Sequence, residues 1–281
     1  MRLIQTGLVC LLAACAAPPG AESPGWVGGM FGDEALIAAD VMRYGFPGTD
    51  TLRYRAGYVL SYDAPRRVPR WVAERLSPDV VDGELPDFPR HFAPDETLPA
   101  AVRARSDDFA DSGYVRGRLA AAANHRGDEK ACRATYLLSN AAPQLGADFR
   151  ATFWVSLERQ IRNWARASDH LWVITGTLFL APEGSSEVRY KLIGERAVGV
   201  PTHFFKVLLR ERGRSRAVLA FLVPHAPLAA DADAAAFLVS IDRLESLSGL
   251  DFFPELGEPA QADLEAQEPK AVWIRVDNTT R

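Results

Sequence analysis

At 281 residues the chain is long enough to bury one sizeable core, and nothing in that length asks for a second domain. Its 48% hydrophobic and 24% charged residues are those of an ordinary globular protein and exclude wholesale disorder. A net charge of −4 excludes the uniformly basic surface of a general nucleic-acid binder, so any phosphate-binding character has to be local.

Met1 to Ala17 carries one basic residue, Arg2, and an apolar run from Leu8 to Ala14 that ends in Leu12-Ala13-Ala14-Cys15. The run is too short to span a bilayer as a stable helix and suits the apolar core of an export signal. Leu-Ala-Ala-Cys resembles a bacterial lipobox, so residues 1–15 read as a signal or lipobox leader with Cys15 as a lipid-bearing membrane tether. A plain cleaved signal is the first alternative. A mitochondrial leader, with delivery to the intermembrane space, ranks below it because such leaders are richer in Arg and Ser. Residues 16–32 carry Pro, Gly and Ser without periodicity and read as a flexible tether. The folded domain is placed at 33–258, with a C-terminal tail over 259–281.

Gly57 to Tyr62 reads as a strand, Asp63-Ala64-Pro65 as a turn, and Arg70 to Leu76 as the partner strand of a hairpin. From Asp82 to Asp111 the chain is rich in Pro, Asp and charge, which predicts irregular structure with one helical turn. Arg126 to Thr135 has a helical composition. Phe153 to Ala167 is the clearest helix, with Trp154, Leu157, Ile161 and Trp164 on one face, where aromatic residues are core. Strands are predicted at His170–Leu180, Val188–Ile193, Ala197–Pro201, Phe204–Leu209 and Ala217–Val223. Phe237 to Leu247 is a helix or strand that ends at Gly249. Many strands a hairpin apart, with few helices, predict an α+β domain around a mainly antiparallel sheet flanked by helices.

Cys132 is the one cysteine outside the leader, so no disulfide closes within the domain, and without metal-ligand spacing around it the residue reads as a buried structural thiol. Arg103, Arg105, Arg116, Arg118, Arg126, Arg133, Arg150, Arg159 and Arg162 crowd the middle of the chain. A solvated mixed-charge surface and a phosphate-binding stripe account for them equally well.

Three segments carry a family resemblance: Tyr114-Val115-Arg116-Gly117-Arg118-Leu119 running on to His125, Thr135 to Gln144, and Trp154-Val155-Ser156-Leu157-Glu158. With collinear blocks at 44–48, 58–63, 200–207 and 248–254, the chain resembles DNA/RNA non-specific endonucleases of the endonuclease G type. The resemblance implies a ββα-metal nuclease fold, phosphodiester hydrolysis assisted by Mg²⁺ or Mn²⁺, a DNA or RNA backbone as partner, and a homodimer. In such a site a His takes a proton from water, an Asn holds the hydrated metal, a Glu eight residues later orients its waters, and an Arg steadies the phosphate.

Arg116, Gly117, Asn140 and Glu158 match this pattern; Val115 replaces its acid and Arg118 its histidine. Arg150, eight residues before Glu158, stands in place of the metal-ligand Asn, and Asp148 is the nearby oxygen donor that could substitute. A guanidinium has no acceptor and stays protonated, so Arg118 cannot act as a base. A metal-free pseudonuclease is therefore expected, with Arg116, Arg118 and Arg150 converging on an anion. The alternative is a slow Mg²⁺- or Mn²⁺-dependent nuclease with another base or ligand. His125 and His203 read as structural, and His91, His170 and His225 have no partners at informative spacing.

Overall fold

Alternation of apolar residues along the long strands leaves both faces of a sheet to be covered. The computed structural model describes residues 33–229, 231–257, 259–267 and 271–273. The leader, the tether and Cys15 lie outside the described residues. In chain order the elements are α1 (Asp33–Val41), β1 (Leu52–Arg55), β2 (Tyr58–Asp63), β3 (Val68–Leu76), α2 (Pro78–Val81), β4 (Tyr114–Arg118), α3 (Glu129–Ala134) and β5 (Ala141–Leu145). After a π-helix at Gly146–Trp154 come α4 (Val155–Arg166), β6 (His170–Leu178), β7 (Leu192–Ile193), β8 (Val198–Gly199), β9 (His203–Arg212), β10 (Ser215–Pro224), β11 (Leu238–Val239), α5 (Ile241–Ser248) and α6 (Ala260–Glu265).

Seven strands form one antiparallel sheet in the order β1-β2-β3-β6-β9-β10-β11. One face carries Leu60, Val72, Leu171, Val173, Phe204, Leu208 and Phe221 and is covered by Leu157, Ile161 and Trp164 of α4. The other carries Val59, Trp71, Trp172, Ile174, Phe205 and Val207 and is covered by α1 and by Ile241, Leu244 and Phe252. The result is the expected α+β sheet flanked by helices, in three layers.

Two predicted strands need correction. Of Val188–Ile193 only Leu192–Ile193 is strand, and of Ala197–Pro201 only Val198–Gly199, because these pieces pair with each other and not with the main sheet. Val188, Tyr190 and Leu192 are consequently exposed. The region read as a tail contains α6, and Trp273 packs edge-on against Trp164, whose Nε1 donates to the Trp273 carbonyl at 3.1 Å.

Candidate nucleic-acid site on a strand-strand-helix finger

β4 pairs antiparallel with β5, setting Arg116 opposite Pro143, Gly117 opposite Ala142 and Arg118 opposite Ala141. β5 runs straight into the π-helix and α4, so the predicted site residues share one strand-strand-helix finger. A Cβ at Gly117 would lie 2.0 Å from Cδ of the fully buried Gln144, so only glycine lets the strands close here.

Asn140 is fully buried and ties the finger's insertion together. Its Oδ1 accepts from the Ala120 amide at 2.8 Å, and its Nδ2 donates to the carbonyls of Ala120 (3.0 Å) and Thr135 (2.9 Å). Spending the carboxamide on backbone makes Asn140 a brace of the finger.

Glu158 sits in the first turn of α4, only 5% exposed. Arg150 lies eight residues earlier on the π-helix, a span that two long side chains cross between them. Arg150 Nη1 reaches to 3.7 Å from Glu158 Oε1, an ion pair longer than a hydrogen bond, and neither atom has a hydrogen-bond partner. Below this pair the sheet presents a polar stripe. Lys206 is fully buried, donates to Thr175 Oγ1 at 2.8 Å and lies 4.7 Å from the Trp154 ring centre. Burial pushes the Lys206 ammonium below its ordinary range, opposed by the charges of Glu158 and Glu74. Glu74 in turn accepts from Asn124 and meets His125 Nε2 at 2.8 Å, and Arg162 donates to Asn124 Oδ1 at 3.2 Å.

Arg116 and Arg118 do not join the Arg150 pair, which divides the expected convergence into two groups. Arg116 donates from Nη2 to the Ser106 carbonyl at 2.8 Å, and the Arg118 guanidinium lies 4.4 Å from the Tyr136 ring centre. Arg116 Nε and Arg118 Nη1 are buried without a partner. Asp148 is exposed, and among the described residues its carboxylate forms no ion pair; its backbone carbonyl accepts from Leu228 at 2.7 Å. Val115, in the acid's position, is exposed.

These groups do not fit a divalent cation. Mg²⁺ needs hard oxygen donors, whereas Glu158 already faces a guanidinium. At about 4 Å a dication and a guanidinium repel by about 2 kcal/mol even in water. Among the described residues, the one group of three carboxylates close enough to share an ion is Asp242, Glu245 and Glu265, outside the finger.

The histidines bonded at the finger's edges are engaged. His125 is buried against Glu74, and a Cβ at Gly57 would lie 2.6 Å from its Nδ1. His225 donates from Nδ1 to the Pro201 carbonyl (2.8 Å) and accepts at Nε2 from the Leu145 amide (2.9 Å), which fixes the neutral tautomer; burial pushes it below the usual histidine range. Sequence reasoning missed Glu74 and Lys206, and named Arg162 only as one of the crowded arginines. The signal was available for the first two, since each is a charge at an inward position of an apolar strand.

The sequence profile described as "DNA/RNA non-specific endonuclease" matches residues 37–258. The chain is 39% identical over 221 residues to "Endonuclease G, mitochondrial" of Homo sapiens, covering 77% of this chain and 74% of that protein. It is 38% identical over 252 residues to the Bos taurus protein of the same name, covering 88% and 80%. Both names carry the mitochondrial address, the lowest-ranked of the three readings weighed for the leader. Among solved structures it is similar to that titled "Crystal structure of the EndoG/EndoGI complex: Mechanism of EndoG inhibition", with a TM-score of 0.74 and 37% identity over 78% of this chain and 92% of that one.

Proposed function

Because the chain belongs to the DNA/RNA non-specific endonuclease family, we propose that it keeps the family's finger as a nucleic-acid-binding surface and lacks phosphodiester hydrolysis. The observation that carries this reading is the Arg150–Glu158 ion pair, which fills from within the place where the family's metal-dependent chemistry needs a cation. Arg118 removes the base as well, a group worth roughly 10²- to 10⁴-fold in rate. A missing base alone can be bypassed by a metal-bound hydroxide, and a displaced metal closes that route. The remaining guanidiniums suit a phosphodiester, since their donors match its oxygens and their charge is permanent.

Purified protein incubated with plasmid or RNA and Mg²⁺ or Mn²⁺ is expected to leave both intact, while EDTA does not weaken retention of labelled nucleic acid. Cleavage abolished by Glu158→Ala contradicts the proposal. If that cleavage also disappears with Asp148→Ala, the protein is instead a slow metal-dependent nuclease with a substitute ligand. Arg118→His combined with Arg150→Asn tests the scaffold directly, and metal-dependent cleavage by that variant is the expected result.

A further inference from the structure

Beyond α6 and the Pro269 that follows it, the sequence carries Ala271-Val272-Trp273-Ile274-Arg275-Val276, an apolar, β-branched run that holds the last tryptophan of the chain. α6 lies beside α5 on one face of the main sheet, whereas Val272 and Trp273 pack into the core of the opposite face, the one covered by α4. The C-terminal segment thus reaches both outer layers.

There the two residues line a groove of about 430 Å³ together with Phe153, Leu157 and Trp164 from the π-helix and α4, and Ala232 from the loop before β11. Trp273 is half-buried. Its ring stands edge-on to Trp164 with centres 5.3 Å apart, the Arg210 guanidinium lies 4.3 Å from its ring centre, and its carbonyl accepts from Trp164 Nε1 at 3.1 Å. Trp164 in turn stacks on Phe221 with centres 6.5 Å apart, so the contact is continuous with the core. Trp164 belongs to the later turns of α4, away from Glu158 in the first turn.

A tryptophan held by a ring, a guanidinium and a backbone hydrogen bond is the kind of anchor that fixes an extended peptide in a groove. Its hold is local, because Val272 and Trp273 are only half-buried, and segments with few buried contacts open at the low end of a protein's stability. Opening takes the acceptor from the Trp164 indole N–H and uncovers apolar surface on α4, so the open state favours docking again. We propose that the groove beside α4 is a peptide-binding site whose occupant is the chain's own C-terminal segment, docked through Val272 and Trp273 as a releasable strap on that helix. The site uses neither the finger arginines nor Glu158, so it stands whether or not the finger binds nucleic acid.

The full chain carrying Trp273→Ala vacates the groove, and the nuclear magnetic resonance of the Trp164 indole N–H reports its state. A short tether holds its end at an effective concentration of about 1 mM, so a segment docked most of the time must bind as a free peptide with a Kd of about 1 mM or tighter. A peptide of residues 268–281, titrated to roughly 5 mM into the isotope-labelled variant, is expected to return the Trp164 and α4 resonances toward their positions in the unmodified protein. The same peptide carrying Trp273→Ala should leave them unmoved. The unmodified protein, whose groove is filled by its own segment, should respond several-fold more weakly than the variant. No shift at that concentration, or an equal response to the Trp273→Ala peptide, overturns the proposal. Global unfolding of the variant overturns it too, since a releasable strap does not carry the main sheet.

Discussion

A guanidinium can substitute for neither a general base nor a carboxamide ligand, and Arg118 and Arg150 each keep a buried nitrogen without a hydrogen-bond partner. Arg150 has a carboxylate to face and Arg118 a ring to lie on. Asn140 shows the opposite case, a residue that matches the family's pattern and is committed to the backbone on both sides of the insertion. Asn140→Ala orphans the Ala120 amide and leaves two carbonyls short of a donor. At about 1–3 kcal/mol for each buried group left unpaired, the three groups together put the expected loss of stability at roughly 3–9 kcal/mol. Chemical denaturation of the variant measures it, and a loss below about 1 kcal/mol would show that water or a neighbour replaces the amide.

The finger depends on two local features, a hairpin that closes only over glycine and a helix that begins with wide π turns. A π segment shifts the side chains that follow relative to an uninterrupted α-helix, and here it lies between β5 and Glu158 and carries Arg150. Gly117→Ala would drive a methyl group into Gln144, which is fully buried and has no room to retreat. Overpacking of this kind costs typically about 1–3 kcal/mol. The strain falls on the small two-stranded sheet, not on the seven-stranded one. The expected signature is weakened nucleic-acid binding with the main thermal transition largely kept. Full retention of binding would mean that β4 and β5 separate without disturbing the arginines.

At the scale of the whole molecule, the sheet insulates the finger on one face from α5 and α6 on the other. Glu245 on α5 accepts from the Phe252 amide at 2.6 Å, and burial, assisted by the charges of Glu265, Asp251 and Asp242, lifts its carboxyl to about 7 from 4.5. A carboxyl whose folded pKa is raised favours the folded state while protonated. Its contribution is therefore full below about pH 4.5 and is lost as pH rises through about 7. Melting temperatures between pH 5 and 8 should fall less steeply for Glu245→Gln than for the unmodified protein. Parallel curves would show that another group governs this range. The finger's ion pair lies on the far face, so nucleic-acid binding should follow the unmodified profile in this variant.

The sheet and α4 were legible in the residues because their periodicities are strong and uninterrupted. Trp154, Leu157, Ile161 and Trp164 repeat at helical spacing, and β6, β9 and β10 are long apolar runs bounded by turn residues. The same linear reading raised the expectation that Arg118 and Arg150 depart from the motif, since comparing residue types needs no coordinates. It could not decide where those side chains point. Strand assignment was too long at 188–201, where only Leu192–Ile193 and Val198–Gly199 are strand and pair with each other rather than with the main sheet. The division of the arginines, with Arg150 on Glu158 and Arg116 and Arg118 on rings from the 82–111 segment and the turn after α3, depends on contacts between residues distant in sequence. The burial of Lys206 and Glu74 beneath α4 does so too. Such contacts follow from which strand faces which helix, and only the folded chain decides that.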